Sequence, residues 1–288
     1  MWAKNFKTHY IFATSKLHAN MNYKLLFPTY RNRYRFIRDC LQAFGEQRSF
    51  GRVLNLGTGE GDYDAMIAPY GKKLMACDIN AQDIAFAKKL NADLSNVTYQ
   101  LEDALQLSFN ADSFDLITSI DVLEHVGQPA QMITEIGRVL RTGGLVFITF
   151  PYFNYPFTYD PINKIAGFFQ PKRLIAQGAY AFGHEYLIKK TDFQKWVNDS
   201  GLEILSEQPL SSYLVALSEM YWTGIIQSLF KANASNVSEE RATQKGKLRP
   251  SRNTPKLVKL TDGFINLDRA IFKNSAASVG RGFVLRKR

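Results

Sequence analysis

The stretch Arg52–Asp62, RVLNLGTGEGD, restricts this chain more than any other. Its apolar run Val53-Leu54-Asn55-Leu56 has strand composition and empties into Gly57-Thr58-Gly59-Glu60-Gly61, ahead of a segment that can open a helix. Glycines at alternate places let the backbone turn sharply and leave no Cβ between the main chain and a ligand lying over it. Taken alone, such a loop also suits a plain turn. A second apolar run, Lys73–Cys77, ends at Asp78. That is about twenty residues past the loop, where a nucleotide-binding α/β unit places the carboxylate that accepts the ribose hydroxyls. The dinucleotide pattern G-x-G-x-x-G is broken, because its sixth place holds Asp62 and glycine comes one earlier. This spacing points away from NAD and towards a cofactor without a pyrophosphate.

Further motifs follow in order: Asp103-Ala104 after a third strand (Val97–Gln100), SFDLITSIDVLEHV at 113–126, and EIGRVLRTGGLVFITFP at 135–151. With these residues the chain resembles the class I S-adenosylmethionine-dependent methyltransferases, of the type 11 or quinone O-methyltransferase kind. The resemblance implies an α/β fold: a Rossmann-like, seven-stranded, mostly parallel sheet with an antiparallel last strand and helices on both faces. It also implies S-adenosyl-L-methionine as cofactor. Gly57, Gly59 and Gly61 would shape its cradle, Asp78 would hold the ribose, Asp103 with Ala104 would meet the adenine, and Ile120 would pack near the sulfonium. Asn55 stands where the family usually carries an acid; its amide can still accept a hydrogen bond from the methionyl ammonium. For Asp103 the plainer reading is a turn cap.

The fourth strand, Phe114–Ser119, aims its end at the transferable methyl. There the chain reads Ile-Asp-Val-Leu-Glu-His, without the two prolines and aromatic usual for enzymes that attack amide or nucleobase nitrogens. Asp121-x-x-Glu124-His125 resembles the E-x-x-E-H of the quinone O-methyltransferases. An oxygen nucleophile must lose a proton, and His125 has the chemistry of a general base. Glu124 and His125 can equally brace the next helix. His184 is the rival base, and no further ligand accompanies Asp121, Glu124 and His125, so no metal is assigned. An aromatic, proline-rich loop, PYFNYPFTYDPINKIAGFFQP, supplies Tyr152, Tyr155, Tyr159, Asp160 and Asn163 as candidate substrate contacts, with packing of a lid as the alternative role for half of them.

At 288 residues and 45% hydrophobic composition the chain can bury one full α/β core. Its two cysteines, Cys40 and Cys77, support neither a disulfide framework nor a zinc site, which fits a reducing cytoplasm. The first twenty residues lack the continuous apolar core of a secretory signal. Three parts are expected: an N-terminal helical or lid segment (1–50), the cofactor-binding domain (51–209 and 279–288), and a helical and basic insertion (210–278). A helix from about Thr29 to Gly45 would carry Arg31, Arg33, Arg35 and Arg38 on a solvated face, with a substrate-anion contact as the rival role. Thr191 would cap a helix through Asn198, and Leu202–Ser206 would form the sixth strand.

The net charge of +10 lies entirely in the tail: residues 231–288 hold fourteen Lys and Arg against four acids, and residues 1–230 hold twenty-two of each sign. Leu210–Phe230 reads as an apolar helix and 231–260 as a polar, basic, mobile segment. A dimer or lid helix is the plainer reading. The sharper one is a two-part anchor on an anionic membrane surface, with Lys245, Lys247, Arg249, Arg252, Lys256 and Lys259 as its basic part. The resemblance thus implies a methyltransferase of a small or lipid-linked substrate, acting on oxygen before carbon or nitrogen. The alternatives are a non-catalytic cofactor-binding or membrane-docking module on the same fold, and a nucleic-acid methyltransferase recruited by the basic tail.

Overall fold

Seven apolar runs become one sheet in the order β3-β2-β1-β4-β5-β7-β6. The computed structural model describes residues 21–46, 49–151, 188–218, 249–275 and 278–288. The strands are β1 (Phe50–Leu56), β2 (Gly71–Asp78), β3 (Val97–Leu101), β4 (Phe114–Ile120), β5 (Leu140–Pro151), β6 (Leu202–Ser211) and β7 (Gly280–Lys287). The helices are α1 (Pro28–Gly45), the single turn α2 (Asp64–Ile67), α3 (Ala81–Leu90), α4 (Pro129–Val139), α5 (Lys190–Asp199) and α6 (Val258–Ile271). Strands β1 to β5 pair in parallel and β7 runs antiparallel to both its neighbours, as the resemblance implied.

Strand alternation sorts the core into two layers. Leu54, Leu56, Ile117, Val146 and Ile148 meet Met132, Ile133 and Ile136 of α4 and Phe193 and Val197 of α5. On the opposite face Val53, Leu74, Leu116, Leu145 and Phe147 meet Phe36, Ile37, Cys40 and Leu41 of α1. Each fully buried side chain of this size stabilises the fold by about 1.5–3 kcal/mol. Phe283 of β7 stacks on Phe150 at 5.3 Å and lies 4.7 Å from Phe193, tying the antiparallel strand into the first layer.

Several boundaries differ from those expected. Helix α4 ends at Val139, and β5 starts at Leu140 instead of after Gly143-Gly144. The register jumps from Phe114↔Leu140 to Leu116↔Leu145, and Gly143, at φ +74°, lies in the excess. Strand β6 runs on through Pro209 to Ser211. It is an edge strand, where a missing N–H is tolerated, so proline does not end it. Leu210, expected in a helix, is therefore buried strand, while residues 213–218 are helical and 219–230 lie outside the described residues. Lys189, not Thr191, occupies the cap position of α5; the Thr191 hydroxyl donates to Asp192 instead. Among the described residues no helix is long and apolar enough to cross a membrane.

The tail is also more structured than expected. Residues 231–248 lie outside the described residues, but Lys259 and Leu260 are already in α6, which packs beside α1. The pairing is ionic as well as apolar. Arg31 donates to both oxygens of Asp262 at 2.9 Å, and Arg269 donates to Asn32 at 3.0 Å. The expected solvated arginine face is thus corrected. Arg31 and Arg33 are buried, because acids distant in the sequence reach them; Arg35 also meets Asp262, at 3.5 Å, and Arg38 pairs with Asp39.

Candidate cofactor and catalytic site

The carboxyl ends of β1, β2, β4 and β5 converge where an open α/β sheet binds ligand. Gly57 and Thr58 both donate their N–H to the Cys77 carbonyl at 2.9 Å, fastening the turn after β1 to the end of β2. Gly57 adopts φ +77°, and a Cβ there would lie 2.2 Å from Val122, so only glycine fits. Gly61 packs against Ala87 and Asn91. Gly59 differs: among the described residues a Cβ on it would meet nothing within 4 Å, and its N–H donates to Asp78 Oδ2 at 2.8 Å. The loop is closed beneath and open above, which fits a ligand lying on Gly59.

Asp78 also accepts from the Asn80 N–H through Oδ1 at 2.9 Å. Burial raises its carboxyl above the ordinary range, and the two N–H groups pull against that rise. Asn55 is almost fully buried. Its amide donates to Thr58 at 3.1 Å and Asp64 at 2.7 Å and accepts from Thr118 at 3.0 Å. Asp64 in turn accepts from Thr58 and Tyr99, each at 2.8 Å. The amide expected at the methionyl ammonium is thus engaged under the loop. Thr58, Asp64 and Thr118, which the sequence did not single out, are its partners, and Tyr99 joins through Asp64. Burial raises Asp64, and the three donors oppose it.

Asp103 is exposed, and its Oδ1 accepts the Leu105 N–H at 2.8 Å, so it caps its own turn; Ala104 beside it packs against the core. At the end of β4, Ile120 is half-buried against the second core layer. Asp121 follows at φ +52°, a conformation that costs a non-glycine residue free energy and is concentrated at functional sites. Three contacts hold it there: its N–H donates to the Thr149 carbonyl at 3.0 Å, its Oδ1 accepts from the Thr149 hydroxyl at 2.9 Å, and Arg33 of α1 forms an ion pair with Oδ2. Arg33 was expected on the solvated face or at a substrate anion; it sits instead against the candidate catalytic acid.

Glu124 is fully buried, and neither of its carboxyl oxygens has a hydrogen-bond partner among the described residues. Burial first, and then Asp121, push its carboxyl well above the usual range. His125 Nε2 lies 3.9 Å from Glu124 Oε1, and the ring is 28% exposed. A buried carboxyl thus lies beside a half-open imidazole at the end of β4. The structure brings together Gly57, Gly59, Gly61 and Asp78, and separately Asp121, Glu124 and His125. His184, Tyr152, Tyr155, Tyr159, Asp160 and Asn163 lie outside the described residues.

Strand order, glycine loop and post-β2 acid define an α/β fold of the class I methyltransferase kind. Residues 54–148 match the family described as Methyltransferase domain. This stretch is similar to the methyltransferase domains of the class I, S-adenosylmethionine-dependent type. The chain is 27% identical over 154 residues to the ubiquinone biosynthesis O-methyltransferase of Coxiella burnetii (strain RSA 331 / Henzerling II), covering 53% of this chain and 64% of that protein. The match therefore spans less than two thirds of that relative. The Nitrosococcus oceani protein of the same name is 26% identical over 183 residues, covering 60% and 70%.

Solved structures share the fold at low identity. Phosphoethanolamine N-methyltransferase 2 of Haemonchus contortus, in complex with S-adenosyl-L-methionine, gives a TM-score of 0.52 at 17% identity, covering 86% of this chain and 51% of that one. The [4+2]-cyclase SpnF gives 0.54 at 17%, covering 87% and 79%.

Proposed function

We propose that this protein transfers the methyl group of S-adenosylmethionine to an oxygen of a small or lipid-linked acceptor. The observation that carries the reading is the Gly59 N–H bound to Asp78 beneath open space, a cradle with a carboxylate at its rim. Bound there, the cofactor supplies an electrophilic methyl on a sulfonium. The protein's own residues orient and deprotonate. Asp78 accepts the ribose hydroxyls, Asp103 and Ala104 flank the adenine, Ile120 walls the methyl, and His125 takes the proton of the acceptor hydroxyl. The names of the two relatives favour oxygen chemistry and a quinone-precursor-like acceptor.

Incubation with S-adenosylmethionine and either hydroxylated prenyl-aromatics or primary amines tests this by mass spectrometry. One added methyl on the hydroxyl acceptor is expected. Cofactor binding without transfer to any acceptor would make the protein a binding module. Recruitment of nucleic acid by the tail is disfavoured, since Arg249, Arg252, Arg281, Arg286 and Lys287 pair with acids of the same chain. The free and buried Cys40 and Cys77 suit work in a reducing cytoplasm.

The proposal extends to peripheral docking on an anionic membrane, but through a different surface from that read in the sequence. Arg249 and Arg252 are withdrawn from the basic anchor by their ion pairs. Helix α6 and its entry instead present Leu257, Leu260, Leu267 and Ile271, 61, 72, 51 and 56% exposed, with Lys256, Lys259 and Lys273 also exposed. Flotation is expected with anionic vesicles at low salt, lost at high salt and in the Leu260→Glu/Leu267→Glu variant. No flotation under any condition would end the proposal. A concentration-dependent dimer abolished by the same variant would assign the stripe to a second copy.

A further inference from the structure

We infer that Arg249, midway along the segment between β6 and β7, is a positioning residue for the cofactor loop and acts through Glu60. The inference rests on the reading of Gly57–Gly61 as the cofactor cradle. Glu60 is flanked by two glycines in the left-handed region, Gly59 at φ +53° and Gly61 at φ +80°. A residue between two such pivots has little intrinsic restraint. Its side chain, only 7% exposed, is gripped from two sides: Lys24 Nζ lies 2.9 Å from one carboxylate oxygen and Arg249 3.2 Å from the other.

Both cations reach further. Lys24 also pairs with Asp62, the residue after Gly61. Arg249 also donates to Asp83 of α3 at 3.2 Å and stacks over the Phe86 ring at 4.5 Å. The two segments that bring them in are themselves fastened together. Asn22 donates its N–H to the Asn253 carbonyl at 2.7 Å, and Ser251 donates to the Met21 carbonyl at 3.2 Å. Arg252 adds an ion pair with Asp93 at 2.9 Å. The result is a strap laid across the outside of the loop, made from residues 21–24 and from residues 249–253 of the insertion.

Because Gly59 binds Asp78 on one side of Glu60, holding Glu60 also holds the peptide that positions the ribose acid. Removing Arg249 takes one of these two cations from Glu60 and breaks the strap's contacts with α3. Cofactor affinity is thereby coupled to a part of the chain outside the sheet that binds it.

The test uses the full chain with Arg249→Met, which keeps an apolar stem over Phe86, together with Arg249→Lys, Glu60→Gln and the Arg249→Met/Glu60→Gln pair. In cofactor-free protein, amide exchange at Gly59–Gly61 should rise roughly tenfold in Arg249→Met, with the amides of β4 and α4 unchanged and Arg249→Lys restoring most of the protection. The dissociation constant for S-adenosylmethionine should rise about as much, the cofactor KM with it, while kcat at saturating cofactor holds. The double variant should be no worse than Arg249→Met alone. Unchanged loop exchange, or losses that add independently in the double variant, would overturn the inference. A wild-type protein that fails to bind S-adenosylmethionine would instead overturn the cofactor reading, and the exchange measurement would still decide whether Arg249 holds the loop.

Discussion

Alanine in place of Asp78 is expected to weaken S-adenosylmethionine binding by about 2–3 kcal/mol, or roughly 30- to 150-fold in the dissociation constant. The magnitude follows from charge-assisted hydrogen bonds to the ribose that no neighbouring group can replace. Each Asp78 oxygen already accepts one backbone N–H, from Gly59 and Asn80, and the remaining lone pairs are those a diol would use. Part of the loss would therefore pass through the loop, since Gly59 loses its anchor together with the ligand's. Asparagine at the same position keeps one acceptor and should fall between wild type and alanine. Titration calorimetry reads the affinity directly, with NAD as the comparison ligand. Indifference to both substitutions, or equal affinity for NAD, would remove the cofactor assignment.

The second large effect is on turnover. His125→Ala should lower kcat by about a hundredfold or more while the cofactor dissociation constant stays within a factor of about two, the pattern of a lost general base. The imidazole is half-open at the end of β4, beside a carboxyl whose protonated form burial and Asp121 favour. Single-turnover measurement under saturating cofactor separates this from product release. The same substitution at His184 should have the smaller effect. If turnover survives both changes, positioning of an already acidic hydroxyl carries the reaction and His125 only braces the turn.

The parts of the site legible in the sequence are those whose geometry is local. The alternate glycines, the strand before them and the acid after the next strand sit within one βαβ unit, so spacing alone carries their roles. What stayed hidden depends on partners far away in the chain. Periodicity in α1 separates apolar from charged positions but cannot tell Arg31 and Arg33, which meet Asp262 and Asp121, from Arg38, which stays at the surface. Asn55 has the right position for a ligand contact, yet Asp64 and Thr118 claim its amide, and only the fold brings those three together. The basic tail read as unstructured because its charges looked unopposed. Glu60, Asp83 and Asp93, the acids that oppose Arg249 and Arg252, lie in another third of the sequence.

The position of β7 has a consequence for how the molecule assembles. It is the last strand in chain order, yet it lies inside the sheet, between β5 and β6. Strand β6 has β7 as its sheet neighbour and no pairing with β5, so its ladder cannot form until residues 280–287 arrive. During synthesis the five parallel strands and their helices can condense first. The second half of the sheet must wait for a contact that spans the whole insertion, which is the kind of non-local closure that slows folding. Until then the edge of β5 and all of β6 are unpaired, and Phe150 and Phe193 lack the Phe283 ring that packs against both. The nascent chain is thus most exposed to mispairing between the completion of β6 and the arrival of β7, a window set by the length of the insertion rather than by any weakness in the core.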